Sequence, residues 1–121
     1  MIDPKELRIG NYLLSGGVAI QIDAAHLCDL LTSEYYLLGH TQIPITPEWL
    51  ERLGFDYKEH KDILSLAIDD KTIVLAYTNP LEIELCHFYS EETTLLKHII
   101  YVHQIQNLIF ALTGQELTIK Q

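Results

Sequence analysis

The sequence predicts an α+β fold: a small antiparallel sheet or SH3-like partial barrel at the N-terminus, a short central helix, a β-meander, and a C-terminal amphipathic helix packed on the sheet. Three observations predict it. Two glycines, Gly16 and Gly17, separate apolar runs as a tight hairpin turn would. A Thr-Pro-Glu start and a Leu-Gly-Phe stop bracket a helix in the middle of the chain. Beyond it, alternation with a period of two gives way near the C-terminus to apolar residues recurring with the helical period.

In "ELRIGNYLLSGGVAIQI", Tyr12 to Leu14 and Val18 to Ile22 form the two arms of the hairpin, because the glycines of Ser15-Gly16-Gly17 tolerate positive φ. "DAAHLCDLLTSEYY" reads as a helical turn. Asp23 caps it and Leu27, Leu30 and Leu31 share a face, while Tyr35 and Tyr36 favour an extended continuation. In "IPITPEWLERLGF", Thr46 is the N-cap, and Pro47 suits the first helical position, where an N–H would have no partner. Glu48 complements the dipole, Ile45 and Leu50 form a staple, and Gly54 ends the helix near Leu53. So short a helix holds only if packed down, by Trp49, Leu50 and Leu53.

"DILSLAI", "TIVLAY" and "LEIELCHFY" are three strands of a meander, joined by Asp69-Asp70-Lys71 and by Asn79-Pro80. In the third, Leu81, Ile83 and Leu85 face the core, and Glu82 and Glu84 share the wet face. Two carboxylates so placed are an acid/base pair only if a further group splits their pKa values; otherwise they are a solvated strand face.

Ile99 to Thr113 fits a helix with Val102, Ile105, Leu108, Ile109 and Leu112 on its core side. His103, Gln104, Asn107 and Ala111 fall on the opposite, outward side, which makes His103 with Asn107 a candidate surface for a partner or ligand. Gln106 lies near the apolar side. A buried amide there must find hydrogen-bond partners, so it is expected to tie the helix to a backbone edge of the sheet. Gly114 closes the helix and "ELTI" reads as a short final strand.

The chain has 121 residues, enough for a single domain, 1–121, with a barrel-like half at 1–45 and a half of helix, meander and C-terminal helix at 46–121. It is 48% hydrophobic and 21% charged, a globular composition. Seventeen acidic residues against eight basic ones give a formal charge of −9, and no Lys or Arg occurs between Arg8 and Arg52. Direct binding to nucleic acid or to an anionic membrane is therefore not expected, since both depend on clustered cations. Two cysteines make no disulfide framework, and Met1 to Gly10 lacks the apolar region of a signal peptide, so a cytoplasmic setting is expected.

The standard enzyme signatures, G-x-G-x-x-G, a Walker loop, G-x-S-x-G and H-E-x-x-H, are absent. His26 with Cys28 and Cys86 with His87 have the softness and number to ligate zinc, and Cys28 or Cys86 with a histidine distant in sequence is a nucleophile pair only if the fold brings the two together. Their spacing matches no common finger or ribbon, and no cofactor or metal is expected.

Three segments, "LRIGNYLL", "IPITPEWLERLGF" and "YVHQIQNLIFALTGQEL", resemble a family of small uncharacterised proteins of Bacteroidetes genomes, prophages and mobile elements. Members of that family read approximately "LRIGNYV", "PIPLTEEWLLKLGF" and "YVHQLQNLYFALTGEEL". The chain departs from them at Ile45, Pro47 and Ile109, without disturbing the cap or the helix. The resemblance implies an accessory protein acting inside a bacterial cell, and carries over no activity, cofactor or catalytic residue.

The leading expectation is a non-enzymatic protein–protein interaction module for a host or phage protein. An acidic nucleic-acid mimic or anti-defence inhibitor is the first alternative, drawing on the cation-free span from Ile9 to Glu51 and on Glu82, Glu84, Glu91 and Glu92. A structural subunit that self-associates through exposed Tyr35, Tyr36 and Leu37 is another, with homo-oligomers as its product. A small-ligand-binding protein or enzyme would need a pocket joining His103, Asn107 or the Cys/His pairs.

Overall fold

The structure, a computed structural model, describes residues 2–58, 62–90 and 93–120. After a single 3-10 turn at Pro4–Glu6, β1 (Tyr12–Ser15) and β2 (Val18–Gln21) pair antiparallel, with Ser15 opposite Val18. Only Gly16 and Gly17 then remain to turn the chain, and both take positive φ, 57° and 84°, the hand that matches the twist of the strands. β3 (His40–Thr41) adds to the other edge of β1, which gives a three-stranded sheet in the order β2-β1-β3.

Between β2 and β3 the chain forms two short helices. In α1 (Ala24–Thr32) the expected cap forms. Asp23 Oδ1 accepts the His26 amide at 2.9 Å, and His26 Nδ1 lies 3.4 Å from the Asp23 amide. Of the three leucines expected to share a buried face, Leu30 is buried and Leu27 packs beside it, but Leu31 is exposed. The tyrosines do not continue as an extended segment. Ser33 breaks α1 and caps α2 (Glu34–Leu38) by accepting the Tyr36 amide at 3.1 Å, and this local hydrogen bond, with burial of Leu37, outweighs the strand preference of two aromatic residues.

The central helix, α3 (Pro47–Arg52), follows its expected start and stop. Thr46 Oγ1 accepts the Trp49 amide, and beyond Gly54 the Phe55 amide returns to the Leu50 carbonyl at 2.9 Å. The meander consists of β5 (Ile63–Ala67), β6 (Thr72–Thr78) and β7 (Leu81–His87), and two short strands, β4 (Asp56–Tyr57) and β8 (Thr93–Leu95), extend it. The result is a five-stranded antiparallel sheet in sequential order. β7 stops at His87, before the expected Phe88 and Tyr89. There the Phe88 amide bonds to the Lys71 carbonyl and the Ser90 amide turns back to His87.

The last helix, α4, spans Val102–Thr113 and starts later than the expected Ile99. The reason lies in Gln104. Instead of facing outward, its Oε1 reaches back to accept the amides of Ile100 and Tyr101, at 2.9 and 3.0 Å, and so caps the helix. After the left-handed Gly114, "ELTI" forms no strand. Its backbone is held piecemeal instead: the Ile119 amide donates to the Tyr12 hydroxyl, and the Lys120 amide to the Arg52 carbonyl.

Two apolar cores result, separated by β1. Tyr12 and Leu14, on one face of that strand, join the main core of Leu50, Phe55, Leu64, Val74, Ile83, Val102, Ile105 and Ile109, which fills the space between the five-stranded sheet and α4. Leu13, on the other face, joins Ile2, Leu7, Ile22, Leu30 and Leu37 in a smaller core under α1 and α2. Leu112, expected in the core, is exposed.

Candidate functional site

The motif around His103 is organised by what covers it. The amphipathic reading places His103, Gln104 and Asn107 in solvent, but α4 is clasped on two sides. The sheet takes one side, and the segment from Glu6 to Tyr12 takes the other, so His103 is fully buried. α4 keeps an exposed face at its C-terminal end, where Phe110, Ala111 and Leu112 meet solvent, but over its first turns a polar residue on the covered side must be satisfied or neutral.

Gln106, fully buried, is satisfied on both ends of its amide. Its Oε1 accepts the Tyr12 amide at 2.9 Å, and its Nε2 donates to the carbonyls of Gly10 (3.0 Å) and Leu117 (2.9 Å). It does tie the helix to the backbone where β1 begins. Asn107 is spent likewise. Its Oδ1 accepts from Arg8 Nε at 2.8 Å and Asn11 Nδ2 at 2.9 Å, and its Nδ2 donates to the Glu6 carbonyl at 2.7 Å.

Arg8 completes this clamp. Its guanidinium meets Glu116 at 2.7 Å and lies over the Phe110 ring, 4.1 Å from the centroid. The clamp unites positions 8 to 12, 106 to 110 and 116, and so joins the two ends of the described chain. Arg8 and Glu116 escape a reading of the sequence because they are single charges 108 positions apart.

His103 is different. Neither ring nitrogen has a hydrogen-bond partner among the described residues, and Nε2 lies 3.7 Å from Glu6 Oε2. The ring stacks on Tyr101 with centroids 6.1 Å apart. Burial pushes its pKa below the ordinary histidine range, with Glu6 pulling weakly the other way, so it is held as a neutral ring. Beside it, Glu6, His98, Ile99, Gln104, Asn107 and Leu108 line an open cleft of about 360 Å³.

The other candidates are dispersed. Tyr35 is exposed, Tyr36 is half-buried against the His40 ring at 4.7 Å, and Leu37 is buried, so the three do not make the expected seam. Glu82 and Glu84 share the face of the five-stranded sheet away from the main core, opposite Tyr77 and Leu75 respectively. Burial first, then these carboxylates, raise the Tyr77 pKa. Glu91 and Glu92 lie outside the described residues.

His26 is engaged in capping α1, Cys28 is exposed on that helix, Cys86 is half-buried on β7, and His87 Nδ1 lies 3.3 Å from Thr72 Oγ1. Among the described residues no group of three His, Cys, Asp or Glu side chains could hold a metal ion, and no helix is long and apolar enough to cross a membrane. In comparison with known proteins, no family model, curated protein or solved structure matches the chain.

Proposed function

We propose that the protein is a non-enzymatic interaction module that docks a partner protein through the outer face of α1 and α2. The observation that carries this reading is a run of exposed apolar side chains, Leu31 at 51%, Tyr35 at 90% and Leu38 at 60% exposure, on two consecutive helices. An apolar surface of this kind on a small acidic chain favours burial against a partner. Asp29 and Glu34 stand exposed on the same helices, within the span that contains no Lys or Arg. The partner surface that fits is apolar and edged with cations, which set the register and speed association. Aromatic residues are common anchors of such contacts, which makes Tyr35 the first residue to test. The setting, an accessory protein of a phage or mobile element inside a bacterial cell, rests on the family resemblance.

The acidic-mimic reading draws less support. Glu82 is flanked across the strands by Tyr77, and Glu84 by Leu75 and Leu95, so these carboxylates sit in a mixed apolar surface rather than in a charged stripe.

The test is retention of a partner from nuclease-treated host lysate by the tagged protein and by a Tyr35→Ser, Leu38→Ser double variant, at low and moderate salt. A stoichiometric, salt-sensitive partner held by the native chain and lost by the variant supports the reading. Retention unchanged in the variant, or no stoichiometric partner, overturns it. A dimer in light scattering that the same variant dissolves would instead make the surface a self-association seam.

A further inference from the structure

We propose that the cleft between the Pro4–Glu6 turn and α4 is a binding site for a primary ammonium group on a short alkyl stem, with Glu6 receiving the charge and Ile99 and Leu108 receiving the stem. This site is separate from the α1 and α2 surface and does not depend on it. The lining residues define the ligand by what they still have to offer. No Lys or Arg lines the cleft, and the nearby Arg8 is committed to Asn107 and Glu116, so an anionic ligand would meet no cation. Asn107 has spent its amide inside the clamp, and Gln104 Oε1 is taken by the helix cap.

What remains is the His98 ring at the rim, the Gln104 Nε2 amide and the Glu6 carboxylate, and of these only the carboxylate carries a formal charge; it is half-exposed, with His103 Nε2 3.7 Å away. His103 is fully buried, has no hydrogen-bond partner and is directed at that carboxylate, yet burial keeps it neutral and leaves the Glu6 charge uncompensated. An ammonium group supplies the missing charge, and its stem lies along the cleft wall against half-buried Leu108 and the small edge that buried Ile99 presents there. The ammonium could be a lysine side chain of a partner or a free alkylamine, and the two share this chemistry.

Occupancy has a signature that non-specific binding lacks. The titratable and charged groups around the cleft are Glu6 from the N-terminal turn, Tyr101 stacked on the His103 ring, His98 at the rim, and Arg8 held in the clamp. Glu6 favours protonation of His103, so neutralising Glu6 with a bound cation moves the His103 titration to still lower pH.

The experiment is an NMR titration of the native protein at neutral pH with n-butylammonium and with Nα-acetyl-lysine methylamide. The matching neutral controls are n-butanol and the Nε-acetylated lysine derivative. Expected are saturable shifts at Ile99, Gln104 and Leu108 with a Kd on the order of 1 to 10 mM, a weakening of about fivefold or more in Glu6→Gln, and a downward move of the His103 ring titration at saturation. Tighter binding of the lysine derivative identifies a partner side chain as the source, and tighter binding of the amine identifies a free small molecule. The proposal is overturned if the neutral controls bind equally well, if no saturable shift appears at these residues, or if a folded Glu6→Gln protein binds unchanged. Should that variant not fold, the neutral controls and the His103 midpoint in the native protein decide the matter.

Discussion

Replacing Gln106 by Leu tests the clamp most directly, because the side chain is fully buried and its three shortest bonds are to backbone, beside a longer one from Nε2 to Glu116 Oε1 at 3.4 Å. Leucine keeps about the same volume but cannot bond the Tyr12 amide or the carbonyls of Gly10 and Leu117. Tyr12 is buried, so its N–H is left without water and costs about 1 to 3 kcal/mol. Gly10 and Leu117 are only partly buried, and water can recover part of the loss, so each adds about 0.5 to 1 kcal/mol. The sum, about 2 to 5 kcal/mol, is a large share of the roughly 5 to 15 kcal/mol that holds a domain folded. For a chain of this length it corresponds to a fall in Tm of roughly 8 to 20 °C. Urea and thermal unfolding followed by circular dichroism measure it, with the exposed Gln115→Leu as a control expected to stay within about 0.5 kcal/mol of the native protein. A Gln106→Leu protein within about 1 kcal/mol of native would refute the reasoning, because three orphaned backbone groups cannot be that cheap.

In the same clamp, Arg8→Ala is expected to cost about 2 to 3 kcal/mol through lost bonds to Asn107 and lost packing on Phe110, while its double-mutant coupling to Glu116→Ala is about 0.5 to 1 kcal/mol. A larger coupling would place the ion pair, not the packing, in charge. Gly10→Ala is expected to cost about 1 to 3 kcal/mol, since φ is +100° and a Cβ would stand 3.1 Å from the Glu116 carboxylate. Part of that loss should return in the Glu116→Ala background, where the clash is gone and only the backbone strain remains.

Stability should also fall on acidification through His103. The folded state holds its pKa below the ordinary value near 6.5, so its contribution is complete above about pH 6.5 and is lost below it, as the unfolded chain takes up the proton first. The slope is at most about 1.4 kcal/mol per pH unit for one group, and His103→Phe should flatten it. An unchanged slope in that variant would assign the effect to another histidine.

Local signals were legible wherever a neighbour in sequence answered them. Thr46, Pro47 and Gly54 set the bounds of α3 because caps and stops act within one turn. The two glycines of the hairpin and the alternation of β7 were equally readable, because turn hand and strand period are properties of a few adjacent residues. The α+β class followed from these elements, and the need of Gln106 for backbone partners followed from the chemistry of an amide beside an apolar face.

Which side of α4 meets solvent was legible only in part: Ala111 is exposed as expected, but His103 on the same side is fully buried. Periodicity identifies a face that must be buried but is silent on whether a second layer covers the other, and here the segment from Glu6 to Tyr12 does, burying His103 and spending Asn107. The helix over Tyr35 and Tyr36 and the failure of the last residues to form a strand have the same origin. Weak strand preference yields to whatever partner the folded chain presents: the Ser33 cap together with the small core that takes Leu37 in one case, and the Tyr12 hydroxyl in the other. The Glu6 cleft and the Arg8 clamp belong wholly to tertiary structure. Both join the N-terminal ten residues to a helix about a hundred positions later, and no spacing along the chain encodes so distant a meeting.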